Sequence, residues 1–525
     1  MHHNARGTRI LLALAAETLA FQGESAASPR TRKKPLTLPM SAMNREPVDS
    51  FASLAPALAP WLSAARWHLG STATPEIRLT LPVARAAGVE LHWVVVADGD
   101  VTYNVPLTFR ESAADEQAVL PAPITVWENW TVRDATDDPF GQHELLRLIT
   151  RGPVYSGGTD SSAAGLADTA PVCEEKAGLA THRLCAVQPR TSARRLGREQ
   201  SNTSIVYDAA PPTSPAADEI GGAAGSPDTP ESPHMADTAA AAATTFAGPI
   251  ILKLFRVLHL GENPDVELQQ VLSDSGAVPL QIGSAQLLLH TGHADVLTAQ
   301  EFLPTATDAW ESTTASLATG RPLPREEFVE LGRTTRRIHN ILAASLPVVE
   351  ATADKRLQLQ DSWLQRARKA INLVPQLAEY TDSIASIFGA TQSVPWPPLQ
   401  RIHGDYHLGQ VLRSARGWVV LDFEGEPLRP LAQRRQPDLA LRDVAGMLRS
   451  FDYAGGTGSE HQEWVSTTQQ AFLSGYGALS EEHKVLLRAL ELDKALYEVA
   501  YEAATRPAWL PIPLVGVHRI LGAAH

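Results

Sequence analysis

Arg401-Ile-His-Gly-Asp-Tyr-His-Leu-Gly-Gln-Val-Leu412 and Gly417-Trp-Val-Val-Leu-Asp-Phe-Glu-Gly425 are separated by four residues in a chain of 525. Gln410–Arg413 and Trp418–Phe423 are predicted strands, joined through Ser414-Ala-Arg-Gly417. A hairpin returns the chain to where it began. Asp405, just before the first strand, and Asp422, near the end of the second, are therefore expected close together, with Gln410 and Glu424 at the same end. A lone aspartate in a glycine-rich turn is an ordinary surface residue. A pair on one hairpin, with an amide at that offset, makes a candidate site. His403 and His407 stand four apart, as zinc ligands on a helix do. Gly404 and Gly409 argue for a loop instead, and the glutamate of a zinc-helix motif is missing.

Phosphoryl transfer from a metal-bound nucleotide needs such a grouping: one carboxylate for the proton of the attacking hydroxyl, others to hold the metal against the phosphates. Asp405 is the candidate base, and Gln410, Asp422 and Glu424 are the candidate magnesium ligands. Such chemistry also needs a cation for the phosphates. Only eight of the 45 basic residues are lysine, so Lys253, inside the apolar run Pro249–Phe255, stands out. A buried lysine requires a partner, and Glu267, in the helix expected after Asn263-Pro-Asp265, is the candidate. The alternative is an edge-strand lysine reaching to solvent. No glycine-rich phosphate loop is present. In its place Glu199-Gln-Ser-Asn-Thr-Ser204 precedes the predicted strand Ile205–Tyr207. Ser201, Asn202, Thr203 and Ser204 are candidate phosphate contacts through turn amides and hydroxyls, although such clusters also form plain turns. Near the end of the chain, Lys494, Tyr497, Glu498 and Tyr501 share one face of a predicted helix. Rings and charges together suit a polyhydroxylated ligand, while an amphipathic helix with i,i+4 pairs explains the spacing equally well.

A net charge of −13 disfavours electrostatic capture by nucleic acid or an anionic membrane. Cys173 and Cys185 supply neither a disulfide framework nor a zinc site, which points to the cytoplasm. The chain lacks an apolar run long enough to span a bilayer. Ile10–Ala16 is too short for an export signal and is soon followed by Glu17, while Met40 and Met43 are alternative starts. Composition divides the chain into a disordered leader (1–48), an α+β cap subdomain (49–135), a nucleotide-binding N-lobe (136–303) and a helical C-lobe with the hairpin (304–525). An Ala-, Pro- and Ser-rich insertion, 208–248, is expected to be a disordered loop between two strands of a hairpin. Expected strands in the cap are Ile77–Leu81, Val89–Ala97 and Thr102–Phe109, after a helix at Phe51–Arg66; Gly141–Arg151 opens the N-lobe. Arg325–Ser345, Lys355–Leu373, Trp464–Leu473 and Ser480–Thr505 are the expected C-lobe helices.

RIHGDYHLGQVL, VVLDFEGEP, LRDVAGMLRSFDYA (441–454) and ELDKALYEVAYE strongly resemble actinobacterial maltokinases, as do ILKLFRVLHLGENPDVEL, EQSNTSIVY and the cap segment APWLSAARW (59–67). The resemblance runs in order from about 57 to 521. It implies a bilobal, protein-kinase-like α+β fold with an N-terminal cap and a mainly helical C-lobe, related to aminoglycoside phosphotransferases. It implies ATP and Mg2+ as cofactors, and phosphorylation of maltose to maltose 1-phosphate for α-glucan synthesis. The residue matching Asp405 is then the base, those matching Gln410 and Asp422 bind magnesium, and the one matching Lys253 contacts ATP. Gln300–Leu303 match the hinge that receives adenine, which makes Gln300, Glu301 and Leu303 nucleotide contacts. The family also implies a partner, trehalose synthase, for a chain taken here as a monomer. Two alternatives stay open: a related sugar or glucosamine-type kinase, and a pseudokinase scaffold that binds such a partner.

Overall fold

The computed structural model describes residues 51, 53–70, 74–86, 88–111, 120–151, 177–190, 192–197, 202–210, 245–426, 429–458 and 461–522. The expected leader, Ser201, Cys173 and most of the 208–248 insertion lie outside these residues.

Helix α1 (Ala55–Ala64) covers one face of an antiparallel sheet built from β1 (Glu76–Ala86), β2 (Val89–Asp98), β3 (Val101–Asn104), β4 (Leu107–Glu111), β5 (Thr125–Trp127) and β6 (Trp130–Asp134). The order is β1-β2-β4-β6-β5, with β3 beside β2. All ten positions of β2 are buried, since the strand is covered on both faces. Val94 and Val96 pack with Leu58 and Leu62 of α1. Leu91, Trp93 and Val95 pack into a second core. That double burial explains its unbroken Val-rich run. The single strand expected over Thr102–Phe109 is instead two, β3 and β4. The break falls at Val105-Pro106, where proline removes an N–H from the ladder.

The second core lies between this sheet, helix α2 (Pro139–Arg151) and a second sheet. The second sheet contains β7 (Gly178–Arg183), β8 (Ala193–Arg195), β9 (Asn202–Tyr207), β10 (Ile250–Phe255), β11 (Gln281–Leu289) and β12 (Gly292–Glu301), ordered β7-β11-β12-β10-β9-β8. The strands flanking the insertion do form the expected antiparallel pair, with Ser204 opposite Lys253. However, β9 begins at Asn202, so Asn202, Thr203 and Ser204 belong to the sheet ladder and not to a free turn. Helix α3 (Pro264–Leu272) follows β10, started by Asn263, whose side chain accepts from Asp265 N, and by Pro264 in the first turn.

After β12 the chain crosses into a three-stranded sheet of β13 (Thr307–Asp308), β14 (Val411–Ser414) and β15 (Gly417–Val420). Around it lie α4 (Ala309–Ala318), α5 (Arg325–Ser345), α6 (Ala353–Leu373), α7 (Thr381–Ala390), α8 (Leu431–Arg434), α9 (Leu441–Gly455), α10 (Gln462–Tyr476), α11 (Glu481–Thr505) and α12 (Pro511–Leu521). Their apolar faces build the largest core. The molecule is therefore a kinase-like α+β protein with a sheet-rich N-terminal half and a helical C-terminal half. Ser480 caps α11 by accepting from His483 N, with Glu481 and Glu482 in the first turn. Among the described residues, no helix is long and apolar enough to cross a membrane.

The two sheets are tied together through polar groups. Asn104 Nδ2 donates to Phe255 O (2.9 Å) and Val296 O (3.1 Å). The fully buried Arg256 binds Asp134 (2.5 Å) and Thr203 (2.8 Å), and its guanidinium lies 4.9 Å from the centre of the Trp67 ring.

Candidate active site

The β14–β15 hairpin places the predicted residues as expected from its geometry. Leu421 N donates to Gln410 O at 2.9 Å, which closes the hairpin with Gln410 and Asp422 at one end, and His403 Nε2 lies 2.9 Å from Leu421 O, which holds the loop of Asp405 against it. The loop before β14 is braced by α9. Asp443 accepts from His403 N through one oxygen and from Gly404 N through the other, both at 2.9 Å. Burial opposes the charge of Asp443, but the hydrogen bond and charge of His339 (2.9 Å) together with Gly404 N hold its pKa below the usual range. Gly404 adopts φ 85°, and a Cβ there would lie 3.3 Å from Gly425 Cα, so glycine lets the two acidic loops meet. Sequence reasoning missed Asp443 because nothing near it repeats or clusters.

Asp405, part-exposed at the tip of this loop, receives Lys494 Nζ of α11 at 3.3 Å. The same ammonium lies 3.1 Å from Glu426 Oε1 and 5.1 Å from the centre of the Tyr497 ring. Glu426 is buried, yet Lys494, Arg429 and Arg442 outweigh the burial and bring its pKa to about 2. Tyr501 continues the stripe, its ring 6.2 Å from that of Tyr497. Glu498 does not join them. Its carboxylate binds buried Arg449 at 2.8 and 2.7 Å. At about 100° per residue, Glu498 falls on the far flank of the helix stripe from Tyr497. His407 is kept neutral, its pKa lowered to about 4, by burial above all and also by the charge of Lys494.

Asp422 adopts φ 60°, an unusual conformation that aims its carboxylate into the site. Lys253 Nζ, from β10, contacts Asp422 (3.1 Å), Glu424 (2.6 Å) and Asp265 (3.2 Å). Burial disfavours the ammonium, but these three carboxylates hold its pKa well above normal. The partner expected from sequence, Glu267, is displaced. It pairs with Arg401, and Asp265 takes its place. Two residues along a helix turn the side chain through roughly 200°, so one of the pair must point away. Asp265 is anchored by Gln269 Nε2 (2.6 Å) and Phe423 N (2.8 Å). The Asn-Pro cap places both Asp265 and Glu267 in the first turn, so the sequence locates the pair without choosing between them.

Gln410 Nε2 lies 3.4 Å from Asp422 Oδ2, and Asn202 Nδ2 donates to Glu424 at 3.0 Å. Thr203 turns instead to Arg256, while Ser204 lies beside Lys253 in the ladder. Gln300 pairs with Ile251 and Gln281 at the end of β12. Glu301 N donates to Leu280 O, and Leu303 O accepts from Ala306 N as the chain crosses between lobes. Among the described residues, Asp265, Asp422 and Glu424 form a group able to hold a metal, with ligand atoms within 4.8 Å of one another. Lys253 and, at 3.9 Å from Glu424, Arg434 against three carboxylates leave excess negative charge, and the carboxylate donor set is all oxygen; Gln410, whose Nε2 here faces Asp422, adds its amide oxygen when that amide is turned over. That set fits a hard divalent cation such as Mg2+.

Comparison with known families agrees with this architecture. Residues 243–481 match the phosphotransferase enzyme family, and residues 61–138 match the maltokinase N-terminal cap domain. A glucosamine kinase of Streptacidiphilus jiangxiensis is 28% identical over 263 residues, 43% of this chain and 58% of that protein. One of Mycolicibacterium smegmatis is 27% identical over 244 residues, 42% of this chain and 61% of that protein. The chain thus spans about three fifths of the length of the curated relatives it matches. A solved glucosamine kinase in complex with glucosamine, ADP and inorganic phosphate has the same fold, with a TM-score of 0.61 and 18% identity, covering 91% of this chain and 99% of that one. Another crystal form of glucosamine kinase gives 0.61 at 19% identity, covering 90% and 98%. The hairpin and its acidic site fall within the stretch that matches the phosphotransferase enzyme family, and the first sheet falls within the stretch that matches the maltokinase cap, so the chain is similar to each of them in the corresponding part.

Proposed function

We propose that the chain is a sugar kinase that transfers the γ-phosphoryl group of ATP to the anomeric hydroxyl of maltose, giving maltose 1-phosphate for α-glucan synthesis. The observation that carries this reading is that Lys253, from a strand of the second sheet, contacts Asp422 on the hairpin, while the loop that carries Asp405 is held against the same hairpin through His403 and Gly404. Asp405 takes the proton of the attacking sugar hydroxyl. Lys253, kept charged by its carboxylates, engages the phosphates of ATP, with Asn202 and Ser204 beside them. Gln300, Glu301 and Leu303 mark the crossover that borders the adenine. Gln410, Asp422 and Glu424 hold Mg2+, which when bound offsets charge on the β- and γ-phosphates. Tyr497 and Tyr501 offer ring faces to the sugar. The match to a maltokinase cap supports maltose over other sugars.

The curated relatives favour a second reading, a glucosamine kinase. ADP release measured across a sugar panel separates the two. Maltose is expected to give the highest kcat/KM; glucosamine outperforming maltose overturns the choice of substrate while leaving the kinase intact.

A further inference from the structure

The acceptor end of the cleft holds two carboxylates and one ammonium. Lys494 Nζ sits 3.3 Å from Asp405 and 3.1 Å from Glu426, and only about a fifth of its side chain is exposed. Both carboxylates, together with the ring of Tyr497 under the ammonium, form a site that a cation fits. In this chain the cation is covalently supplied by helix α11. A hydroxyl positioned for Asp405 brings the rest of its sugar ring alongside the same ammonium. A neutral sugar can accept hydrogen bonds from Lys494. An acceptor bearing its own ammonium meets a like charge in a part-buried place where screening is weak. The carboxylates that would otherwise welcome it are already neutralised.

We propose that Lys494 is a specificity-determining residue: a tethered ammonium that occupies the cation site of the acceptor pocket and thereby excludes cationic aminosugars in favour of neutral sugars. The inference rests on the acceptor reading above and deepens it. It also states what would change the selectivity. Replacing Lys494 by a shorter, uncharged side chain that still carries a donor leaves Asp405 and Glu426 Oε1 open to a guest ammonium. Arg429 stays on the other oxygen of Glu426 at 2.7 Å, so the pocket gains attraction for a cation without losing its frame. Selectivity of this kind works by repelling the wrong ligand as much as by binding the right one.

Lys494→Gln and Lys494→Arg test this directly by calorimetric titration of glucosamine and maltose, with ADP present and at a pH where the amine of glucosamine is protonated. Lys494→Gln is expected to bind glucosamine at least about tenfold more tightly than the wild type. Lys494→Arg, which keeps the charge, is expected to retain the wild-type preference. A folded Lys494→Gln protein with unchanged glucosamine affinity overturns the proposal, as does a Lys494→Arg protein that gains glucosamine affinity equally. Because the readout is binding, a wild-type protein that phosphorylates no sugar sinks the kinase reading separately.

Discussion

Lys253 shows how far single residues can be read from sequence. Its rarity and apolar setting marked it as functional, and the structure gives it three carboxylate contacts. Choosing between Asp265 and Glu267 depended on which way a short helix faces, and propensity is silent on that. The two acids now separate experimentally. Asp265→Asn should raise KM for ATP by about tenfold to a hundredfold through misplacement of Lys253. Glu267→Gln, whose partner is Arg401, should stay within about threefold. Equal effects in ATP titrations would return the role to Glu267. Glu491 on α11 offers a pH test. Burial, aided by Asp452 and opposed by Arg519 and Arg449, pushes its pKa up to about 7. The folded state therefore keeps a proton that the unfolded chain has lost. That contribution is complete below the normal carboxylate range and gone above about pH 7. Glu491→Gln cannot ionise, so its stability advantage over wild type should widen by about 2 kcal/mol between about pH 5 and about pH 8. Parallel denaturation curves at both pH values would refute the shift.

Elements with a clear apolar stripe or a strong cap were legible. The α5 helix matches its expected span, Arg325–Ser345, and α11 begins after Ser480 as its cap predicts. By contrast α9 has thirteen of fifteen residues buried, including Arg442, Asp443, Arg449 and Asp452. Its polar residues recur at helical spacing, but they are buried against partners on other elements instead of facing solvent, so a search for a solvated face does not find them. Its charges are paired internally, Arg442 with Asp438 and Asp493, Arg449 with Glu498. The same pairing directs the Glu498 carboxylate to Arg449 and away from Tyr497 and Tyr501: periodicity identifies a face, but a buried partner on another helix decides where the side chain goes. The β14–β15 hairpin was legible because its residues are local. Its brace, Asp443, was not, since the contact spans forty residues.

At the scale of the whole molecule, the cap is joined to the catalytic body through one buried guanidinium as well as a shared apolar core. Arg256 reaches Asp134, Thr136 and Thr203 at once. Arg256→Leu strands Asp134 in the interior, and denaturation should show a loss of about 3–5 kcal/mol. A loss below about 1 kcal/mol would mean that the apolar core, with the Asn104 bonds to Phe255 O and Val296 O, suffices to hold the cap in place. This junction sits beside the β9–β10 pair that carries Lys253, so the cap braces those strands. The central claim concerns the site framed by β10, α3, α11 and the β14–β15 hairpin, with Asp405 proposed as its base. Its most direct test is turnover of ATP with maltose by Asp405→Asn protein whose melting curve matches wild type. A fall of at least about a hundredfold is expected from loss of a general base; near-normal turnover in the folded variant would contradict the account.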